Sequence, residues 1–351
     1  MNKALSFLKK HSSKVFNYSF VSFFLIVFGA IFIANGGSSR MPIFTPNMLT
    51  QIAYTMILVL SLNLVVGFLG ELSLGHAGFM YIGAYVGGLF SHYTAEIITN
   101  NHVRLILTIL IGGAVAALFG VLVGLPALRL RGDYLAIVTL AFGEIVRGVL
   151  KNIKIEGVIN IPADGFTLPR YKGLFIVAFV VVLITLFCIQ NLVNSKHGRA
   201  VTAIRDNEIA ARSMGINITF YKLAIFAISA FFAGVAGAIY SNYALVGPAT
   251  FDYNYSIEIL VMVVLGGMGS LSGSLISSLL IVFINVKLQS YLTGTLAGAK
   301  YLVYAIILII MMIVSSSPKL APFREKLNWK YISGKIFKKK SKDADTTEEV
   351  K

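Results

Sequence analysis

Charge is scarce in this sequence. Asp, Glu, Lys and Arg make up 13% of its 351 residues, where a soluble domain carries about 25%. Apolar residues fill 57% of the chain and its mean hydropathy is +0.80, more than one aqueous core could hide. Acidic residues number only 15 against 30 Lys and Arg, leaving a formal charge of +15. The one cysteine, Cys188, lies inside an apolar run, which excludes an intrachain disulfide. No G-x-x-x-x-G-K-[ST] stretch occurs, so the chain has no phosphate-cradling loop of its own. Its histidines lack metal-ligand spacing, and no Ser/His/Asp set suggests hydrolysis. These absences argue against an enzyme. If ATP powers anything here, another chain hydrolyses it.

Long apolar runs are what the chain has instead. Runs of about 20 apolar residues can cross a bilayer. Candidates fall at 20–35, 48–69, 74–94, 103–127, 134–150, 173–193, 219–243, 255–268, 271–291 and 299–316. The fold class is therefore all-α, a polytopic membrane bundle of about ten spans. The first run follows Lys3, Lys9, Lys10 and Lys14, a pattern that also suits a signal peptide. It is long for one, and FIANGGSSR makes a poor cleavage site, so it reads as a retained span.

The basic residues lie between spans and at the tails. That placement suits topology and attraction to anionic lipid rather than nucleic acid. Alternating the spans from a cytoplasmic N-terminus puts twenty of the 30 basic residues inside, among them Arg129, Arg131, Lys196, Arg199, Arg205 and Arg212. Only Arg40, Lys151, Lys154, Arg170 and Lys172 fall clearly outside. The same rule divides 255–291 into two spans hinged at GGMGSLSG, since a single span would send the tail KIFKKKSKDADTTEEVK outside. Three segments follow: a cytoplasmic 1–19, a membrane domain 20–316 and a basic cytoplasmic tail 317–351. In that tail Phe323, Leu327, Tyr331 and Ile332 or Ile336 recur near helical spacing beside Trp329 and Lys330, which suits an amphipathic helix on the inner leaflet. The final KKKSKDADTTEEVK is too polar to order itself.

Two stretches interrupt the apolar runs. In LVVGFLGELSLGHAGFMYIGAY, residues 64–85, the break carries Gly70, Glu71, Ser73, Gly75, His76 and Gly78. Glycine tolerates unusual φ values and lets backbones approach closely, and Ser73 can satisfy backbone groups freed at membrane depth. Charge parity places this break towards the cytoplasm, as a hinge at the inner end of a pathway. His76 is expected to fix the hinge through a hydrogen bond rather than to touch a substrate. The second break, 266–273, carries Gly266, Gly267, Gly269 and Ser270, and its GSLSG echoes the GELSLG of the first. Packing alone explains many of the 32 glycines, including those of AGVAGAIY at 233–240.

Charges within spans are costly unless paired. Glu144 and Arg147, three apart, share a helical face, as an internal ion pair or a substrate contact. Lys222 is expected to snorkel to the inner surface and Lys287 to the outer. Asp252 and Glu258, with the loop 151–172, are either a docking site for a protein outside or solvated surface.

The longest inner loop is NSKHGRAVTAIRDNEIAARSMGINITFYK, residues 194–222. Asp206 or Asn207 can cap a short helix that begins at Glu208, presents Ile209, Ala210 and Met214, and ends at Gly215. From the residues alone this is equally a peg for a cytosolic partner or a solvated interfacial linker.

LVVGFLGELSLGHAGFMYIGAY, LRLRGDYLAIVTLAFGEIVR, GRAVTAIRDNEIAARSMGINITFYKLAIFAISAFFAGVAGAIY and VLGGMGSLSGSLIS stand in that order. Together they resemble the branched-chain amino acid permeases of bacterial ABC importers over about residues 50–315. The resemblance implies a subunit of the bacterial inner membrane with both termini cytoplasmic. Its implied partners are a second related permease, two cytosolic ATPase subunits and an extracytoplasmic substrate-binding protein. ATP and Mg would belong to the ATPases, leaving this chain no cofactor, metal or catalytic residue. It also makes the loop a coupling loop, with Arg205, Asp206, Asn207, Glu208, Ala210, Ala211 and Gly215 at matching positions. Ile209 departs from the family's Glu-Ala-Ala form. Sparse charge suits a pathway for a zwitterion with an apolar side chain, tight binding being left to the outer partner. The rivals are a related permease for urea, short amides or other amino acids, a stand-alone ion-coupled carrier, and a passive channel.

Overall fold

The computed structural model describes residues 12–34, 45–127, 132–153 and 173–291, together with 130, 165–168, 171, 302, 306 and 309. By its contacts the chain divides into Val21–Lys287 and a second unit comprising Met1–Phe20 and Leu288–Lys351. In the latter, Phe16 and Phe20 stack one helical turn apart, with ring centres 5.8 Å apart.

Most of the described residues are helical. They form α1 (Ser12–Ala34), α2 (Pro46–Asn63), α3 (His76–Tyr93), α4 (Asn101–Ala127), α5 (Asp133–Asn152), α6 (Leu174–Asn194), α7 (Lys196–Asp206), α8 (Glu208–Ser213), α9 (Ile218–Ser241), α10 (Tyr253–Gly266) and α11 (Leu271–Tyr291). No strand occurs among them, only an isolated bridge between Phe166 and Val246. Nine of these helices occupy nine of the ten expected spans, while α7 and α8 fall in the long inner loop. The tenth segment, 299–316, lies outside the described residues except for helical residues 302, 306 and 309. Among the described residues four helices are, by length and composition, long and apolar enough to cross a membrane: Pro46–Leu69, Asn101–Ala127, Leu174–Asn194 and Ile218–Ser241. This is a helical membrane bundle.

Helix α2 forms the centre. Thr45 caps it by accepting from Met48 N at 3.3 Å, and Pro46 takes the first-turn position where its missing N–H costs nothing. Nearly every residue from there to Leu69 is buried, which suits a helix apolar on all sides. Beside it, α3, α4 and α9 pack on one another through small residues, and α9 also packs on α2. A methyl group on Gly237 would lie 1.9 Å from Met80 O, and one on Gly83 2.2 Å from Gly234 O. No larger residue fits such approaches. Helix α6 closes another side, with Phe179 stacked on Phe24 at 6.1 Å and Phe175 edge-on to Phe32 at 5.2 Å. Apolar side chains such as Leu110, Leu118 and Leu122 of α4, and Ile184 and Phe187 of α6, face outwards, as surfaces in contact with lipid must.

Candidate functional site: two helix breaks and a two-helix loop

Helix α2 ends by widening. Residues Leu64–Leu69 form a π-helical turn, closed by Gly70 at φ +82°. Such turns are rare and cluster at functional sites. The crowding of Gly67 shows how tightly this one is seated: a Cβ there would lie 1.9 Å from Asn63 Oδ1 and 2.2 Å from Gly269 N.

Gly269 belongs to the second break, so the two breaks lie against each other. Asn63, fully buried, joins them. Its Oδ1 accepts from Gly269 N at 2.8 Å, and its Nδ2 donates to Ser270 O at 3.1 Å and to Ser274 Oγ at 2.8 Å. Gly267 and Gly269 adopt φ +88° and +80°, which turn the chain from α10 into α11. Gly266 meets Gly273 across that turn, where a Cβ would lie 2.5 Å from the Gly273 carbonyl carbon.

Neighbouring helices hold the extended stretch between Gly70 and His76. Leu74 N donates to Thr139 Oγ1 of α5 at 3.0 Å, and Ala77 N to Ser256 Oγ of α10 at 3.1 Å. The expectation for Ser73 is corrected: its Oγ is buried with no hydrogen-bond partner, and Thr139 and Ser256 serve the backbone in its place. Tertiary neighbours, rather than the local serine, reach those N–H groups. Gly75 and Gly78 let α5 approach, since methyl groups there would lie 2.2 Å from Thr139 O and 2.8 Å from Gly143 Cα. The His76 ring is buried, and its Nε2 lies 2.7 Å from Ser61 Oγ of α2. Ser229 of α9 in turn donates to Ser61 O at 2.6 Å.

The loop 194–222 contains two short helices, α7 and α8. Ser195 caps α7 by accepting from Gly198 N at 3.2 Å, and Asn207 caps α8 by accepting from Ala210 N at 3.0 Å. Of the two caps offered by the sequence, Asp206 instead pairs with the adjacent Arg205 at 3.0 Å. Gly215, at φ +81° with open space around it, ends the element. Ala211 is buried, whereas Ile209 and Met214 are 76% and 82% exposed.

This loop touches the first break directly. Arg205 Nη1 donates to Gly67 O at 2.9 Å, and a Cβ on Gly70 would lie 2.6 Å from Arg205 Cγ. Lys222, at the start of α9, pairs with Glu71 of the break and with Glu208 of α8, the latter at 3.2 Å. Glu208 also lies 3.6 Å from Arg212. The expectation that Lys222 snorkels to the surface is thus corrected. It is only 4% exposed, and two carboxylates offset the cost of burying its charge.

At the opposite end of the break region's helices, Glu144 and Arg147 pair at 2.9 Å, each side chain about one-third exposed. Arg147 Nε also donates to Pro248 O at 2.8 Å, and Glu144 Oε1 accepts from Tyr253 N at 3.1 Å. The pair therefore ties α5 to the segment leading into α10. Asp252 caps α10 by accepting from Tyr255 N at 3.0 Å, and Glu258 accepts from Asn285 Nδ2 at 3.1 Å. Both serve the bundle's own structure; residues 154–164 of the adjacent loop lie outside the described residues. Among the described residues no cluster of three or more His, Cys, Asp or Glu could hold a metal ion.

A family model described as the permease component of the branched-chain amino acid transport system matches residues 44–315. The chain belongs to this family. The high-affinity branched-chain amino acid transport system permease protein LivM of Salmonella typhimurium is 39% identical over 259 residues, which are 65% of this chain and 59% of that protein. LivM of Escherichia coli is 38% identical over 270 residues, 68% of this chain and 62% of its own length. The chain thus spans about three-fifths of the length of these curated relatives. The ribose import permease RbsC of Escherichia coli is 25% identical over 288 residues, 77% of this chain and 84% of that protein. No solved structure matches. The family match takes in both breaks and the whole of the 194–222 loop.

Sequence reasoning missed Asn63 and Gly67 and misassigned Lys222. The one signal for Asn63 was an amide alone inside the apolar run ILVLSLNLVVGFL.

Proposed function

We propose that this chain is the permease subunit of an ATP-driven importer for branched-chain amino acids, working in the bacterial inner membrane with both termini in the cytoplasm. A second permease of the same family completes the pathway. Two cytosolic ATPases, which carry ATP and Mg, drive it, and an extracytoplasmic binding protein delivers the substrate. The membrane domain 20–316 holds the pathway, with the flanking 1–19 and 317–351 in the cytoplasm.

One observation carries the reading: a capped two-helix loop, 196–215, exposes Ile209 and Met214 on one side and contacts the first helix break on the other. An apolar pair held out on a rigid short helix fits a socket on a cytosolic protein. The loop's inner contacts give such a partner a mechanical hold on the bundle. Gly70, Glu71, Gly75, His76, Gly78, Gly266, Gly267, Gly269 and Ser270 then shape the inner end of the pathway. The likeness to a ribose import permease favours a second reading, in which the same frame serves another small polar solute.

Copurification tests the assignment. Tagged chain should capture an ATPase chain, and disrupting Glu208 and Gly215 together should abolish the capture. Uptake by the purified chain alone under a sodium or proton gradient would refute the ATP-driven reading, and flux needing neither energy source would mark a channel. Ligand binding to the partner binding protein separates the branched-chain reading from the other solutes.

A further inference from the structure

Lys222 joins α8 to the first break by pairing with both Glu208 and Glu71. We infer that Lys222 is the positioning residue through which α8 controls the inner hinge. This rests on the ATP-driven reading above and assigns its transmission to one ion-pair relay, Glu208–Lys222–Glu71.

The geometry distinguishes the relay's two links. Lys222 and Glu71 have side chains 5% and 13% exposed, so that link is dry. Glu208 is 25% exposed and is shared with Arg212, itself 67% exposed, so the outer link is wetter and divided. Water weakens an ion pair and burial strengthens it. A pull on α8 therefore loosens the Glu208 link first and leaves Lys222 committed to Glu71. A buried ammonium deprived of one of its two carboxylates must shift towards the other, and Glu71 directly follows Gly70, the left-handed residue that closes the π-helical turn. Arg205 gives a parallel hold on the same turn through Gly67 O. Gly67 abuts Gly269, and Asn63 bonds Gly269 and Ser270, so movement at the first break is felt at the second. Bistable packing of this kind turns small shifts into defined states.

The test uses the full complex, reconstituted in liposomes with its binding protein, and reads uptake per ATP hydrolysed. That ratio is insensitive to how much complex assembles. Lys222→Gln, Glu208→Gln and Glu71→Gln should each lower it about tenfold, the scale of a typical coupling free energy. The double variant Glu71→Gln/Glu208→Gln should be no worse than either single change, because both act through one lysine. Lys222→Arg, which keeps the charge, should restore the ratio. If Lys222→Gln fails to fold, Lys222→Gln/Glu71→Gln removes the stranded carboxylate and carries the same expectation. Undiminished uptake per ATP in these neutral variants, or losses that multiply in the double variant, would overturn the role of Lys222 alone. Uptake by unsubstituted chain with no ATPase present would overturn the ATP-driven reading as well.

Discussion

Asn63 makes three of its four possible hydrogen bonds to the second break and the start of α11, all from one buried amide. Replacing it by alanine strands Gly269 N in an apolar interior, at about 1–3 kcal/mol, while Ser270 O keeps the N–H and hydroxyl of Ser274. Asn63→Ala should therefore lower the thermal unfolding midpoint of the detergent-purified chain by several degrees, whereas Asn63→Gln, with the same groups on a longer arm, should fall between. The glycines differ among themselves in the same way. Gly237→Ala drives a methyl into Met80 O and should destabilise by about 1–3 kcal/mol or more. Gly148, also helical, has nothing within 4 Å of its would-be Cβ, so Gly148→Ala should be neutral or stabilise by up to about 1 kcal/mol. Equal losses at both positions would contradict the close packing of α3 on α9.

At the scale of the element, α8 is too short to be stable alone. Six residues are held in shape by the Asn207 cap at one end and Gly215 at the other. Asn207→Ala removes about 1 kcal/mol of capping. It should loosen α8 without moving the unfolding midpoint of the bundle, and weaken capture of the ATPase several-fold in a pull-down. Ile209→Ser with Met214→Ser should abolish capture altogether while leaving that midpoint in place, because neither side chain is buried. A shift in the midpoint would mean that the pair packs within this chain. The stretch 70–75 behaves oppositely. It has no regular structure of its own, and Thr139 at Leu74, Lys222 at Glu71 and Ser256 at the adjoining Ala77, from three separate helices, define it.

Across the whole molecule, the central α2 is flanked by α6, α9 and α10, while the outer faces of α4 and α6 remain apolar. An interior polar seam of Asn63, Ser61, His76, Ser229 and Ser256 runs through this apolar frame. It lets the chain break two helices at membrane depth without leaving their backbone groups unpaired. Orientation is checked by labelling. A cysteine introduced near residue 345, in a Cys188→Ser background, should react with an impermeant maleimide only when the inner face is opened. Labelling from outside would reverse the topology.

Apolar runs place the helices because bilayer-length burial demands them. Nine of the ten expected spans coincide with described helices, down to the hinge that separates α10 from α11. Caps were legible too, since Asn207 and Gly215 act on groups within four residues of themselves. The pairing of the breaks was not. Which carbonyl Asn63 meets, which serine replaces Ser73, and whether Lys222 reaches water or two glutamates depend on groups as far as 211 residues away along the chain. Local pattern determines where a helix must form and where it must stop. Only the approach of whole helices, glycine against glycine, decides which stranded polar group finds which partner.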